Sequence, residues 1–403
     1  MSLRIIVTGL IGQYPLGGVT WDYFQYVLGL HQLGHEVYYI EDTGIWPYAP
    51  SEDGTVKDCT YNTNYLAALF ERFGMKDRWA YCFAWQRQWF GLSDAKRREV
   101  VETADLLINV SGMLEKPEQY RGRSRMVYID SDPTFTQVKL AKGYDYFRNL
   151  IDAHDVTFSF GEALASDSSM TPATGHDWLP TRQPMVMSEW PVGGDDRGVF
   201  TTVMNWNAYK PVIHEGRTFG QKDLEFREFF DLAERIAPIQ IEIAANAGKG
   251  HKLPKELLAH RGWRLVDPND VCPDLDSYRD YITSSRGEWS VAKNGYVEGQ
   301  SGWFSCRSTC YLAAGRPVIV QDTGFSEVLP VGKGLLSFRD LDGAVEALES
   351  VEAAYDEHRD AARALAEEWF DSGKVLTQLI ERAMTNQGVG PETGDDREPQ
   401  GGR

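Results

Sequence analysis

Short apolar runs alternate along this chain with stretches in which apolar residues recur every three or four positions, and glycines mark the junctions. Residues 3–7 form a β-rich run, residues 9–18 a glycine-rich loop, and Trp21, Phe24, Val27 and Leu28 give a helical stripe that extends to Leu33. Gly34 stops that helix, and residues 37–40 predict the next strand. Strand, loop, helix, strand is a βαβ unit, which implies a parallel sheet. Further strands are predicted at 106–110, 126–129 and 156–160, so residues 1–190 are expected to form one α/β domain.

Between residues 184 and 198 the texture changes to prolines, Gly193-Gly194 and Asp195-Asp196, the composition of a linker. A second α/β series follows, expected to fill residues 198–365. Its predicted strands are 199–204, 239–243, 264–266, 317–320 and 335–338, with helices over 223–236, 341–348 and 353–384. Residues 366–385 are expected to be a helix that packs back on the first domain. Residues 386–403, rich in Gly, Pro and acids, are expected to be disordered. The fold class is therefore α/β, with two Rossmann-like, doubly wound parallel-sheet domains facing a cleft.

Composition narrows the partners. The net charge of −18 over 403 residues opposes a general nucleic-acid binder, whose affinity comes from neutralising phosphates. No apolar run is long enough for a signal peptide or transmembrane segment. Five cysteines without a CxxC pair favour the reducing cytoplasm, and Cys306 and Cys310, one helical turn apart, read as small buried residues. No metal is expected.

The most informative stretch is residues 301–327. It reads as a loop, a helix opened by hydroxyl residues, a glycine stop at Gly315, a buried strand, and the loop Thr323-Gly324 leading to Glu327. A helix N-terminus offers free amides and a positive dipole end, which suit phosphate. Arg307 adds a bidentate clamp beside Ser305, Ser308 and Thr309. Trp303 is expected to wall the same site.

The run from Arg307 to Val318 (RSTCYLAAGRPV), followed by Thr323-Gly-Phe-Ser-Glu327, resembles the donor half of GT-B glycosyltransferases of the family 4 type and their bacterial spore-protein-like relatives. Gly17-Gly18 before a helix and Leu33-Gly-His-Glu-Val37 carry the resemblance in the first half. The resemblance implies a nucleotide-sugar donor bound by the second domain and an acceptor bound mainly by the first, with no metal and no cofactor. Arg307 and the amides of 305–308 would hold the donor diphosphate, Lys222 would pair with Arg307, and Glu327 with Gly324 would face the sugar or ribose. Lys210 and Arg217 compete with Lys222. Where the family commonly carries two carboxylates, this chain has Gly302 and Cys310.

A base for the acceptor hydroxyl is sought in the first domain. Asp132, in Asp130-Ser-Asp132-Pro133 after a strand, and His154 are the candidates, with His176 a third. The same DxD is equally a turn and helix cap, and Glu41 and Asp42 read as loop acids. Gly17 and Gly18 either permit a turn or let donor or acceptor approach the backbone. The function expected is transfer of a hexose from a nucleoside diphosphate to the hydroxyl of a carbohydrate or small-molecule acceptor. A sugar-nucleotide epimerase and a non-catalytic binder with a degenerate site remain alternatives. A nicotinamide oxidoreductase fails on spacing, since Gly9, Gly12, Gly17 and Gly18 do not make G-x-G-x-x-G.

Overall fold

A computed structural model describes residues 2–52, 54–194, 196–246 and 253–385. The tail at 386–403 and Asp195 of the expected linker lie outside the described residues. The first sheet has eight strands, ordered Trp178–Pro180, Val156–Ser159, Arg125–Asp130, Leu106–Val110, Arg4–Thr8, Glu36–Glu41, Trp79–Phe83 and Gln88–Gly91. All neighbours are parallel except the last pair. The second sheet has six parallel strands, ordered Arg264–Val266, Gln240–Asn246, Val199–Asn205, Gly287–Ser290, Val318–Gln321 and Leu335–Phe338. Both are doubly wound. In each, the first strand in sequence lies inside the sheet and the chain winds outward on both sides of it. The reversal falls between Arg4–Thr8 and Leu106–Val110 in one sheet, and between Val199–Asn205 and Gly287–Ser290 in the other. Such reversals leave a crevice at the strand C-termini.

Two expected helices differ. Residues 223–236 form three short pieces, Lys222–Glu225, a 3₁₀ turn at Phe226–Phe229, and Leu232–Arg235. Phe226, Phe229 and Leu232 are spaced by three and all fully buried, and that spacing lies on one line of a 3₁₀ rather than an α-helix. The long helix over 353–384 is broken into Tyr355–Trp369 and Ser372–Thr385. At the break Met185 N–H donates to the Phe370 carbonyl (2.7 Å) and Ser372 N–H to the Met185 carbonyl (2.8 Å), so the chain turns extended to pair with residue 185. Helix Ser372–Thr385 then lies on helix Gly17–Gln32 of the first domain, where a Cβ on Gly29 would meet Leu376 at 2.7 Å. No described helix is long and apolar enough to cross a membrane.

The two domains face each other through their strand C-termini. Asp132, just past strand Arg125–Asp130, meets Lys293, just past strand Gly287–Ser290, at 2.9 Å. Beside this, helix Gly17–Gln32 abuts helix Leu275–Thr283. The Trp21 indole donates to the Leu275 carbonyl (3.0 Å), and a Cβ on Gly17 would fall 2.2 Å from the Asp274 carbonyl oxygen and 2.4 Å from Tyr278. Neither Gly17 nor Gly18 adopts a positive φ. They are bare so that the second domain's helix can close on them, which corrects their reading as a loop that admits donor or acceptor.

Gly17→Ala is therefore expected to push the domains apart and to lower stability by about 1–3 kcal/mol, the usual cost of overpacking. Thermal unfolding measures this, and an unchanged melting temperature would contradict the packing described.

Candidate functional site

Strand Gly287–Ser290 runs at the reversal point of the second sheet and sends alternate residues to opposite faces. Trp289 enters the core, stacked on Phe338 at 5.6 Å. Glu288 and Ser290 point the other way, towards helix Cys306–Ala313. There Arg307 donates from Nε to Glu288 Oε1 (2.6 Å), from one terminal nitrogen to the Val203 carbonyl (2.9 Å), and from the other to Ser290 Oγ (2.9 Å). The guanidinium thus bridges the two strands that flank the crevice. Lys222 converges on the same point, donating to Ser290 Oγ (3.1 Å) and the Val291 carbonyl (2.7 Å). Burial, then the Arg307 cation, holds the Lys222 ammonium well below its ordinary pKa. Lys210 and Arg217 are exposed and take no part.

Between them, three of five guanidinium N–H groups and two of three ammonium N–H groups are used. Beside them lies a pocket that Ser290, Trp303, Phe304, Ser305, Arg307 and Ser308 help to line. Ser308 is fully buried and its hydroxyl has no hydrogen-bond partner among the described residues. No side chain caps the helix that begins at Cys306. Unmet donors of this kind mark a place where an anion fits. The pocket is small, with a volume of ≈ 10 Å³, room for about one water.

Thr309 leaves the expected set. Its hydroxyl turns back on the Cys306 carbonyl (2.6 Å). Glu327 is exposed and accepts from Ser166 of the first domain (2.8 Å), so it faces that domain's loop and not the pocket. Gly324 has φ +91°, and its N–H donates to Asp322 (3.0 Å). A Cβ there would meet the Gln300 carbonyl oxygen at 2.9 Å, so this glycine lets two loops cross. Trp303 does line the pocket. Its ring stacks on Tyr296 at 4.0 Å and its N–H donates to the Ser131 carbonyl across the cleft (3.2 Å). Gly302 has φ +80°, and a Cβ would lie 2.6 Å from the Ala163 amide nitrogen. Cys310 is buried with its thiol on the Cys306 carbonyl (3.3 Å). No side chain fits at Gly302, because the first domain's backbone fills the space.

The candidate bases also change. His154 is buried near the reversal point of the first sheet, where both ring nitrogens are engaged. Nδ1–H donates to the Leu150 carbonyl (2.9 Å) and Nε2 accepts from Asn109 (3.1 Å), whose Oδ1 accepts from Thr8 (2.9 Å). Burial lowers its pKa to about 4. It stays neutral and has no free lone pair, so it is a structural residue. Asp132 accepts from Lys293, from the Tyr209 hydroxyl (3.1 Å) and from the Tyr296 hydroxyl. Burial raises its carboxyl, and Lys293 with Tyr296 outweighs this, so it sits below the ordinary range and is a poor base. It latches the domains. Asp130 is buried under bonds from Thr136 (2.7 Å), Gln137 (2.9 Å) and Ser159 (3.0 Å), and Thr134 with Gln137 forms a capping box. The turn-and-cap reading of this DxD describes it. His176 pairs with Asp152 at 2.9 Å, and Asp42 with Arg87 at 2.7 Å. Glu41, fully buried, accepts the Gly12 (2.7 Å) and Gln13 (2.6 Å) amides. The glycine loop thus already holds a carboxylate of its own where a dinucleotide phosphate would need those amides.

One residue was missed. Asp22 is the only acid on helix Gly17–Gln32, and its carboxylate takes no hydrogen bond from any described residue. Burial pushes it up to about 7, against the pull of Arg307 from the opposite domain. A lone acid inside an otherwise apolar helix was the available signal.

No family model matches the chain, and no curated protein matches it in sequence. Solved structures do match in fold. An alpha-glucosyltransferase in complex with UDP-glucose and DNA containing an abasic site aligns over 96% of this chain and 100% of its own, with a TM-score of 0.59 at 12% identity. HepE from Anabaena in complex with UDP-glucose aligns over 95% and 100%, with a TM-score of 0.57 at 10% identity. Sucrose-phosphate synthase from Thermosynechococcus elongatus aligns over 94% and 99%, with a TM-score of 0.53 at 11% identity. At these identities the likeness establishes the fold, two facing Rossmann-like domains of the GT-B kind.

His154 gives a pH prediction. Its folded pKa lies below the unfolded value of 6.5, so the unfolded chain binds the extra proton. The stability is fully present above pH ~6.5 and is lost as pH falls towards 4, by about 3 kcal/mol at pH 4. Urea unfolding from pH 7 to 4 should show wild type losing that much more than His154→Gln, and parallel losses would contradict the assignment.

Proposed function

We propose that this protein is a glycosyltransferase that moves a hexose from a nucleoside diphosphate to an acceptor hydroxyl. The single observation that carries the reading is the convergence of Arg307 and Lys222 on Ser290, at the sheet reversal, beside a pocket that Arg307 lines together with an unpartnered serine hydroxyl. The fold neighbours named above, seen with UDP-glucose, support it.

Breaking the anomeric C–O bond builds negative charge on the departing diphosphate. Preorganised donors aimed at that charge stabilise the transition state by about 3–4 kcal/mol each. Arg307, Lys222 and the amides of the first helical turn would supply them without a metal. Glu288 fixes the guanidinium in place beforehand, so no reorganisation is needed. The pocket is too small for a diphosphate as it stands, so in this reading the domains part for entry, breaking the Asp132–Lys293 latch, and shut again before transfer so that the acceptor and not water captures the sugar. Asp22, whose carboxyl burial pushes up to about 7 against the pull of Arg307 across the junction, would take the acceptor proton. The acceptor in this reading is a carbohydrate or small molecule and not a nucleic acid, which the charge of −18 supports, and the setting is cytoplasmic.

The test is incubation with UDP-, GDP-, dTDP- and ADP-sugars and product analysis. Transfer to an added acceptor supports the proposal. A rearranged sugar without transfer indicates the epimerase, and no turnover of any donor indicates a binding protein. Arg307→Ala alone strands the buried Glu288 and costs about 3–5 kcal/mol, so the decisive variant is Arg307→Ala with Glu288→Gln. It should remain folded and lose turnover by at least about a hundredfold; normal transfer would remove the diphosphate assignment.

Binding of UDP should also take up protons. A dianion beside Lys222 favours its ammonium form, so affinity rises as pH falls. Calorimetry in two buffers of different ionisation enthalpy reads this, and proton release on binding would contradict it.

A further inference from the structure

A cavity of ≈ 380 Å³ opens where helices Tyr355–Trp369 and Ser372–Thr385 pass the edge of the first sheet beside strand Trp178–Pro180. That volume is within the usual range for small-molecule sites. None of its lining residues lines the donor corner. The floor is apolar, one wall is the Trp369 indole, and the rim carries charged and amide groups.

The charges do not balance. Arg182 pairs with Glu162 while lying 5.0 Å over the Trp369 ring. Lys374 pairs with Glu368 at 2.6 Å. Arg382 donates to the Pro180 carbonyl (2.8 Å) and forms no ion pair with any described residue. One cation is thus left over at this cavity, in a chain whose net charge is −18. An aromatic face suits the C–H face of a sugar ring, and planar side chains (Glu162, Arg182, Gln378) suit its hydroxyls. The spare guanidinium suits an anion. A bare phosphate would leave the indole and the floor uncovered, and a neutral sugar would leave Arg382 unmatched.

The geometry points to a second small-molecule site, one that takes an anionic hexose: a six-membered polyol bearing one carboxylate or phosphate. This goes beyond the proposed transfer reaction and does not depend on it. The two sites are nevertheless neighbours. Arg182 lies 5.7 Å over Phe370, and Phe370 stacks at 5.5 Å on Phe304, which walls the donor corner. Two side chains, Arg182 and Phe370, thus link one cavity to a wall of the other.

The test is isothermal titration of the full-length protein with glucose 6-phosphate, glucuronate, glucose and inorganic phosphate. At least one of the two anionic hexoses should bind with a sub-millimolar Kd, and which one does identifies the anionic group. Glucose and phosphate should each bind at least about tenfold more weakly, a difference of about 1.4 kcal/mol. Arg382→Ala, at an exposed position, should weaken the anionic hexose by at least about tenfold. The Arg307→Ala, Glu288→Gln variant should leave that Kd unchanged, which separates this site from the donor corner. The proposal is overturned if neither anionic hexose binds, if glucose or phosphate alone binds as tightly, if Arg382→Ala has no effect, or if the donor-corner variant abolishes binding.

Discussion

A fully buried carboxylate must find a cation, and the second domain is organised around that demand. Glu288 lies in the middle of a parallel sheet with no exposure, and Arg307 reaches it from the next helix at 2.6 Å. Removing either partner leaves an uncompensated charge in a low-dielectric interior. The pair therefore sets the register of helix Cys306–Ala313 against strand Gly287–Ser290. It also fixes where the remaining guanidinium donors point. Lys222 joins at Ser290, where burial, then the Arg307 cation, holds its pKa down. Under the proposed function, an anion arriving beside these two cations would oppose that depression.

The first domain completes the site by contact. Ala163 N–H donates to the Ser301 carbonyl (3.0 Å), Met170 N–H to the Gly299 carbonyl (2.9 Å), and Ser131 and Asp132 meet Trp303 and Lys293. Gly302 is bare because this backbone lies against it. The absence of a carboxylate at Gly302 is thus a packing solution, in which the first domain's loop backbone occupies the volume.

Much of this was legible in the chain. The βαβ opening, the strands Leu106–Val110 and Leu335–Phe338, and the helix after Ser305 follow from apolar period and glycine stops. Arg307, Ser308, Trp303 and Lys222 were found from the helix-terminus argument and the resemblance. Strand Gly287–Ser290 was not, and the reason is instructive. Its outward residues Glu288 and Ser290 are polar because they meet Arg307, so the four-residue segment carries no apolar run. The edge strand Gln88–Gly91 was missed for a plainer cause, since its side chains are half-exposed and it pairs antiparallel. Asp132 was chosen for its place past a strand end facing the cleft, and His154 for its residue type in the first domain. Nothing in sequence reveals that Asn109 and Leu150 consume both imidazole nitrogens, or that Lys293 arrives from 161 residues away.

A crystal structure of the protein grown with UDP tests the central claim most directly. The account predicts the diphosphate oxygens within hydrogen-bonding distance of the Arg307 guanidinium, the Lys222 ammonium and the Ser308 hydroxyl, with the Arg307–Glu288 contact kept. UDP seated elsewhere, or bound with that corner still shut, would contradict it.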